Sequence, residues 1–419
     1  MSERETLSTE PYKGVRDFYP EDWTRLQSVF DTFRTTLQSY GYEEYNASPL
    51  ERSELFENKT SEEIVNEQTY SFFDRGDRKV TLRPEMTPTF ARMVAGKRRE
   101  LVFPLRWFSI PNVFRYERPQ RGRLREHYQL NVDLAGISDM KADGEMIVIA
   151  STLLRALGAK NTDFVVRVNS RSLLTAACRA AGYTTDEAIR SYSHLLDRKS
   201  KMTPEEFSSA LDNNREDPLK IIANESDPAV AKEKSQLVGL IDGFKARGMT
   251  NIVFDPEIVR GFDYYTGTVF EIFDTNTENA RSLFGGGRYD QLIAMFGGEP
   301  IPCVGFAVGD VTLLDFLSTH EYLPEIRSAA DLFIGTPAES DIGHAQKYAE
   351  ELRTEGLRVL VNATSKTLSD QIREASRRGI PSFLAFGEEE AASGTVRLKN
   401  LAASTEKELP KADVPAALK

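Results

Sequence analysis

The chain has 419 residues, 40% hydrophobic and 28% charged, which suits two to three domains with a sizeable core and excludes disordered and fibrous classes. A net charge of −11 argues against general nucleic-acid affinity, so an RNA partner requires a local basic surface. Cys178 and Cys303 cannot form a disulfide framework or a thiolate metal site, and His127, His194, His320 and His344 include no pair at metal-ligand spacing, so no structural metal is expected.

The start, MSERETLSTE, is polar, and no run reaches the roughly 18 apolar residues of a membrane span, so a cytoplasmic location is expected. KGVRDFYPEDW (Lys13 to Trp23) then closes on a Pro-Glu-Asp helix start. Leu26, Val29, Phe30, Phe33 and Leu37 follow at helical spacing until Gly41. YGYEEYNASPLE reads as a strand in which Pro49 suits an edge or an end. From Thr69 to Met93 the pattern predicts a hairpin with DRGD at its turn, then a helix with Thr87 as N-cap and Pro88 at its first position.

FRYERPQRGRLREHYQLNVDLAG, Phe114 to Gly136, reads as two strands joined by a turn-rich loop. Between Arg106 and Arg125 six arginines face the single carboxylate Glu117, giving net +5 inside an acidic chain. Arginine in such density suits planar, bidentate recognition of phosphate or carboxylate. A helix over Lys141 to Ala159 and a strand over DFVVRVNS come next. From about Ala180 to Lys245 the texture changes to short capped helices, with a start at MTPEEF and breaks at DNN and NESD, which reads as a helical insertion.

IVRGFDYYTGTVFEIF, Ile258 to Phe273, predicts a turn and then a half-buried strand. The three glycines of FGGGRYDQL, Phe284 to Leu292, suit either a hairpin turn or a backbone that passes close to a ligand. CVGFAVGDVTLLDFL, Cys303 to Leu317, predicts a strand turning into a helix. Beyond a polar linker, STHEYLPEIRSAA, strands at DLFIG, GLRVLVN, IPSFLAFG and TVRLKN alternate with helices from about Ile342 to Glu355 and Lys366 to Arg378. That pattern predicts a small, mainly parallel sheet in a second α/β unit.

The order FRYE, basic loop, RLREHYQ resembles motif 2 of the class II aminoacyl-tRNA synthetases, in its histidyl-tRNA synthetase form. LRPEMT, RGFDYYTGTVFE and FGGGRYDQL resemble that family's histidine-binding peptides, the helix and strand around Pro49 resemble motif 1, and SKTLSDQIREASRRGIPSFLAFGEEE resembles its anticodon-binding domain. The resemblance implies an α+β fold. An antiparallel six-stranded class II catalytic core with helices would span 1–325, carrying the insertion at about 180–245, and an α/β anticodon-binding domain would span 326–419. It implies ATP with Mg²⁺, L-histidine and tRNA(His) as substrates, and a homodimer formed through motif 1. It also implies roles. Arg115 and Arg260 serve the α-phosphate and the attacking carboxylate; Glu117, Arg123, His127 and Thr312 join Arg115 at ATP. Glu85 and Thr87 hold the α-amino group, with Gln129, Asp133, Arg260, Tyr265 and Tyr289 completing the histidine site.

The chain departs from the family where motif 3 carries glutamate and arginine, having Val311 and Thr312 after Asp310. Arg123 or Arg125 is then expected to cover the γ-phosphate, and Asp310 either to cap the helix or to bind Mg²⁺. Two rival readings are a histidine-sensing regulator, which in the family lacks the anticodon domain and the RG-DYYT peptide, and a degenerate RNA-binding module supported only by the altered motif 3.

Overall fold

The computed structural model describes residues 7–57, 68–211, 215–260, 264–279, 281–326 and 328–418. The DNN break at 212–214 and the Gly261-Phe262-Asp263 part of RGFDYYT lie outside the described residues. The chain folds as two compact units, Met1–Pro324 and Glu325–Lys419.

The first unit carries strands β1 (Glu43–Glu44), β2 (Leu50–Arg52), β3 (Tyr70–Phe73), β4 (Lys79–Leu82), β5 (Leu105–Ser109), β6 (Asn112–Phe114), β7 (Glu126–Ala135), β8 (Phe164–Ser170), β9 (Ile252–Phe254), β10 (Thr268–Asp274), β11 (Ser282–Arg288) and β12 (Cys303–Gly309). Its main sheet runs β1-β5-β7-β12-β11-β10-β8-β9, with β6 paired to β7. From β5 to β8 every pairing is antiparallel, which is the six-stranded core that the resemblance implies; β1 and β9 add short parallel edges.

The period of two along β7 divides the two faces of this sheet. Leu130, Val132 and Leu134 join the large core with the helices Pro20–Ser39 and Lys141–Ala156, whereas Gln129, Asn131 and Asp133 face the other way. On β12 the same alternation buries Val304, Phe306 and Val308 in that core and turns Gly305, Ala307 and Gly309 to the opposite face. The antiparallel register sets Asp133 opposite Gly305 and Gln129 opposite Gly309, so long polar side chains stand over a floor of small residues. A ligand has room there.

Two local expectations in this unit need correction. YGYEEYNASPLE is not one strand: β1 joins the main sheet and β2 a separate sheet of order β2-β4-β3. The Asn46 side chain accepts from the Ala47 amide at 2.8 Å, and Pro49 offers no amide, so the ladder breaks between them. The helix after LRPEM is Thr87–Lys97, with Thr87 its first residue and no side-chain cap; Met86 takes the cap position. Helical conformation at Met86 leaves Thr87 inside the helix, where its hydroxyl is not a cap.

The second unit has β13 (Leu332–Gly335), β14 (Val359–Val361), β15 (Ser382–Ala385), β16 (Thr395–Asn400) and β17 (Thr405–Pro410), in the order β14-β13-β15-β16-β17. Only β13–β14 and β13–β15 pair in parallel, so the sheet is mixed where a mainly parallel one is expected. The strand missed is TEKELP, which buries only Leu409 and so shows no apolar alternation. Helices Ile342–Thr354 and Leu368–Arg377 pack on this sheet around cores of their own, centred on Leu332, Ile334 and Tyr348 and on Phe333 and Phe383.

Candidate active site

A cavity of about 330 Å³ opens on the polar face of the main sheet, and every site residue named from the sequence lines it: Glu85, Thr87, Arg115, Glu117, Arg123, His127, Gln129, Asp133, Arg260, Tyr265, Tyr289 and Thr312. These side chains fall into two contacting groups. His127 and Asp133 lie six residues apart on β7, about 20 Å at strand rise, enough to seat an amino acid and a nucleotide end to end.

The first group is made of carboxylates and phenols. Glu85 follows the buried Arg83, whose guanidinium donates to the Ala47 carbonyl at 2.7 Å and the Asn112 carbonyl at 2.9 Å and so anchors the LRPE turn. The buried Glu85 carboxylate accepts from the Tyr264 hydroxyl at 2.9 Å. The Tyr289 hydroxyl donates to Asp133 Oδ1. Asp133 Oδ2 is buried with no hydrogen-bond partner. Burial pushes the Asp133 carboxyl up to about 7; the Tyr289 hydroxyl pulls it down, and Glu85 pushes it up. The Tyr264 ring packs between Tyr265, tilted at 53° with centroids 4.8 Å apart, and Tyr289, edge-on at 5.8 Å. Arg288 holds the end of β11 in place by a buried ion pair with Asp143 at 2.6 Å, which leaves Tyr289 aimed at Asp133.

The second group is basic. Arg115 donates to the Pro84 carbonyl at 2.9 Å, and Arg123 forms an ion pair with the buried Glu117 at 2.7 Å. Any donor that reaches Glu117 therefore competes with Arg123. His127 lies against Gly309, and burial, then Arg115 and Arg16, push its imidazole down to about 3, so it is a neutral ring at any physiological pH. Neutral imidazole presents an uncharged face for stacking. Thr312 turns its hydroxyl to the Gly309 carbonyl at 3.3 Å.

Arg260 stands between the groups. Its backbone is left-handed, φ 58°, and its guanidinium lies over Gly285, where a Cβ would come within 2.1 Å of Nη1. Gly285 is thus a close-approach glycine, since any side chain there displaces the guanidinium. Glu271, paired with Gly285 across β10 and β11, binds Arg260 Nη1 at 2.5 Å. Burial opposes the Arg260 charge, but Glu271 and Tyr265 more than offset it and hold the group charged. Its Nε is buried without a partner, so a donor remains for an incoming oxygen.

Two expectations about the altered motif 3 are corrected. Asp310 is the first residue of its helix rather than the cap, and its buried carboxylate is taken by Arg16 at 2.7 Å and the Tyr128 amide at 3.1 Å, which leaves it no place at Mg²⁺. Arg125 turns away from the cavity to the Tyr12 hydroxyl at 2.9 Å and lies over the Tyr116 ring at 4.1 Å. Tyr264, Asn131 and Arg281 line the cavity as well. Tyr264 was legible in the doubled tyrosine of DYYT; Arg281 carried no signal beyond standing just before FGGG.

Sequence comparison identifies the family. A family profile described as histidyl-tRNA synthetase matches residues 14–312. The chain belongs to that family. An anticodon-binding-domain profile matches residues 333–419 of the same synthetase chain. A histidine–tRNA ligase of Leptospira biflexa is 42% identical over 410 residues, covering 94% of each protein. One from Halobacterium salinarum is 36% identical over 425 residues, covering 97% of this synthetase and 96% of that one. The crystal structure of histidyl-tRNA synthetase from Nostoc sp. PCC 7120 superposes with a TM-score of 0.78 at 24% identity, over 98% of this chain and 99% of that one. A Bacillus halodurans structure titled ATP phosphoribosyltransferase regulatory subunit/histidyl-tRNA synthetase reaches 0.73 at 22% identity, over 91% and 98%. Those two likenesses concern the fold alone.

Proposed function

We propose that this one cavity carries out both steps of histidine–tRNA ligation, each by positioning and charge stabilisation. An oxygen of the histidine α-carboxylate attacks the α-phosphorus of ATP, the bond to the leaving pyrophosphate breaks, and a terminal ribose hydroxyl of tRNA(His) then takes the histidyl group with release of AMP. The observation that carries this reading is the sorting of side chains, acidic and phenolic around Asp133 and basic around Arg115, with Arg260 between them. The ammonium and imidazole of histidine suit the first group and a polyphosphate the second.

Glu85, with Thr87, attracts the α-ammonium. Asp133 and Tyr289 receive the imidazole beside Tyr265 and Gln129. Arg115 and Arg260 neutralise charge shared by the α-phosphate and the attacking carboxylate, where fixed donors cost no reorganisation as charge develops. Glu117 accepts from the adenine amino group as Arg123 turns to the phosphates, and His127 stacks on the base. Mg²⁺ arrives on the phosphates as part of the nucleotide substrate. Among the described residues no helix is long and apolar enough to cross a membrane, in keeping with the cytoplasmic location proposed with this activity. A homodimer formed through motif 1 is proposed too: in that segment Tyr19, Tyr40 and Leu50 leave 72%, 37% and 41% of their surface exposed, apolar groups for a second copy to cover. A monomer in sedimentation would contradict it.

Histidine-dependent ATP–pyrophosphate exchange followed by charging of tRNA(His) tests the assignment; no exchange even at millimolar ATP would leave the degenerate-module reading standing. Because the second unit has its own cores, removing residues from Asp331 onward should preserve exchange while charging falls. Equal loss of both would make that unit a structural part of the catalytic one.

A further inference from the structure

We propose that Arg281 binds the outer phosphates of ATP, supplying on the Thr312 side of the cavity the positive charge that threonine lacks. The inference rests on the reading of this cavity as the ATP site. Arg281 lines the main cavity and also an adjoining one of about 180 Å³, which shares Gly122, Leu283 and Thr312 with it. A Cβ placed on Gly122 would lie 2.8 Å from Arg281 Cδ, 3.3 Å from its Nε and 3.4 Å from Thr312 Cγ2. The arginine therefore runs between the tip of the basic loop and the start of the helix Asp310–Thr319, alongside Thr312.

The neighbouring guanidiniums are already engaged. Arg123 is held by Glu117, Arg260 by Glu271 and Arg115 by the Pro84 carbonyl; Arg125 faces Tyr12, and Arg121 donates to Asn279 at 3.2 Å. Arg281 has no carboxylate in an ion pair among the described residues. Partly desolvated and repelled by Arg123, with only Glu117 attracting it, its charge is disfavoured as the site stands. An anion lodged between Arg281 and Arg123 relieves both. The adjoining cavity sets Glu278 and Asp315 against Arg121, so beyond Arg281 it adds no net positive charge to draw a polyphosphate further.

The test separates outer phosphates from the rest of the nucleotide. Dissociation constants for ATP and AMP are measured by calorimetry on the full chain, with KM for ATP and for histidine from pyrophosphate exchange. Arg281→Ala should weaken ATP about tenfold to a hundredfold, the scale of losing charge-assisted hydrogen bonds, while AMP affinity and the histidine KM stay unchanged. Arg281→Lys should fall between, and Thr312→Arg added to Arg281→Ala should recover ATP affinity by returning a guanidinium to the same corner. Unchanged ATP affinity in Arg281→Ala, or equal weakening of ATP and AMP, overturns the proposal. Failure of exchange in the unmodified protein would instead overturn the enzyme reading, and the ratio of ATP to AMP affinity would still decide Arg281.

Discussion

Phenylalanine should be activated by this protein about 10⁴-fold less efficiently than histidine, and that margin should collapse in Asp133→Ala. The expectation follows from Asp133 itself. One carboxylate oxygen is taken by Tyr289 and the other is buried without a partner, so the site is complete only when an N–H reaches it. A carbocyclic ring fits the space and leaves that oxygen desolvated, at about 1–3 kcal/mol for a neutral group and more for a charged one. The Tyr289 hydroxyl, held on the same carboxylate, adds to the mismatch because it too faces the ring. Competitive exchange assays with the two amino acids measure the ratio; comparable use of phenylalanine by the unmodified protein would mean that the substrate assignment is wrong.

The same carboxylate predicts a pH effect on the ligand-free protein. Its folded value of about 7 lies above the ordinary 3.8, so the folded state holds a proton that the unfolded chain has released. Stability from this group is fully present below 3.8 and is lost as pH rises through 7. Asp133→Asn should therefore flatten the fall in thermal unfolding temperature between about pH 5 and pH 8, and an unaltered profile would show Asp133 to be ionised throughout.

Arg260→Lys should lower histidine-dependent exchange by about two orders of magnitude or more, with the fold intact. Lysine keeps the charge and can still meet Glu271, but it loses the planar fork whose free Nε lies beside the contact made by Nη1. One ammonium cannot hold a carboxylate oxygen and a phosphate oxygen in fixed relation while remaining on Glu271. The loss should fall on kcat more than on the KM for histidine, since the shared contact matters most as the carboxylate meets phosphorus. Near-normal exchange would remove Arg260 from the reaction. Unfolding by circular dichroism separates a chemical loss from a folding one, a needed control because the left-handed backbone at Arg260 tolerates few substitutions freely.

By itself the sequence determined the α+β core, the run of short helices up to Lys245 and the family, and it named Glu85, Arg115, Glu117, Asp133, Arg260 and Tyr289, all of which line one cavity. Those properties are local: strand alternation puts Gln129 and Asp133 on one face, caps and prolines mark helix starts, and short peptides such as RGFDYYT hold their order along the chain. Tertiary structure alone decided which charged groups meet. Arg16 and Asp310 lie 294 residues apart and form a half-buried ion pair, Glu117 takes Arg123 while Arg125 turns out to Tyr12, and Arg281 comes to rest beside Thr312. A long guanidinium reaches several partners from one backbone position, so its choice depends on the register between β11 and β12 and on how the loop before β7 folds over them. Neither is encoded in any single stretch, and both follow only once the antiparallel sheet has set distant residues side by side.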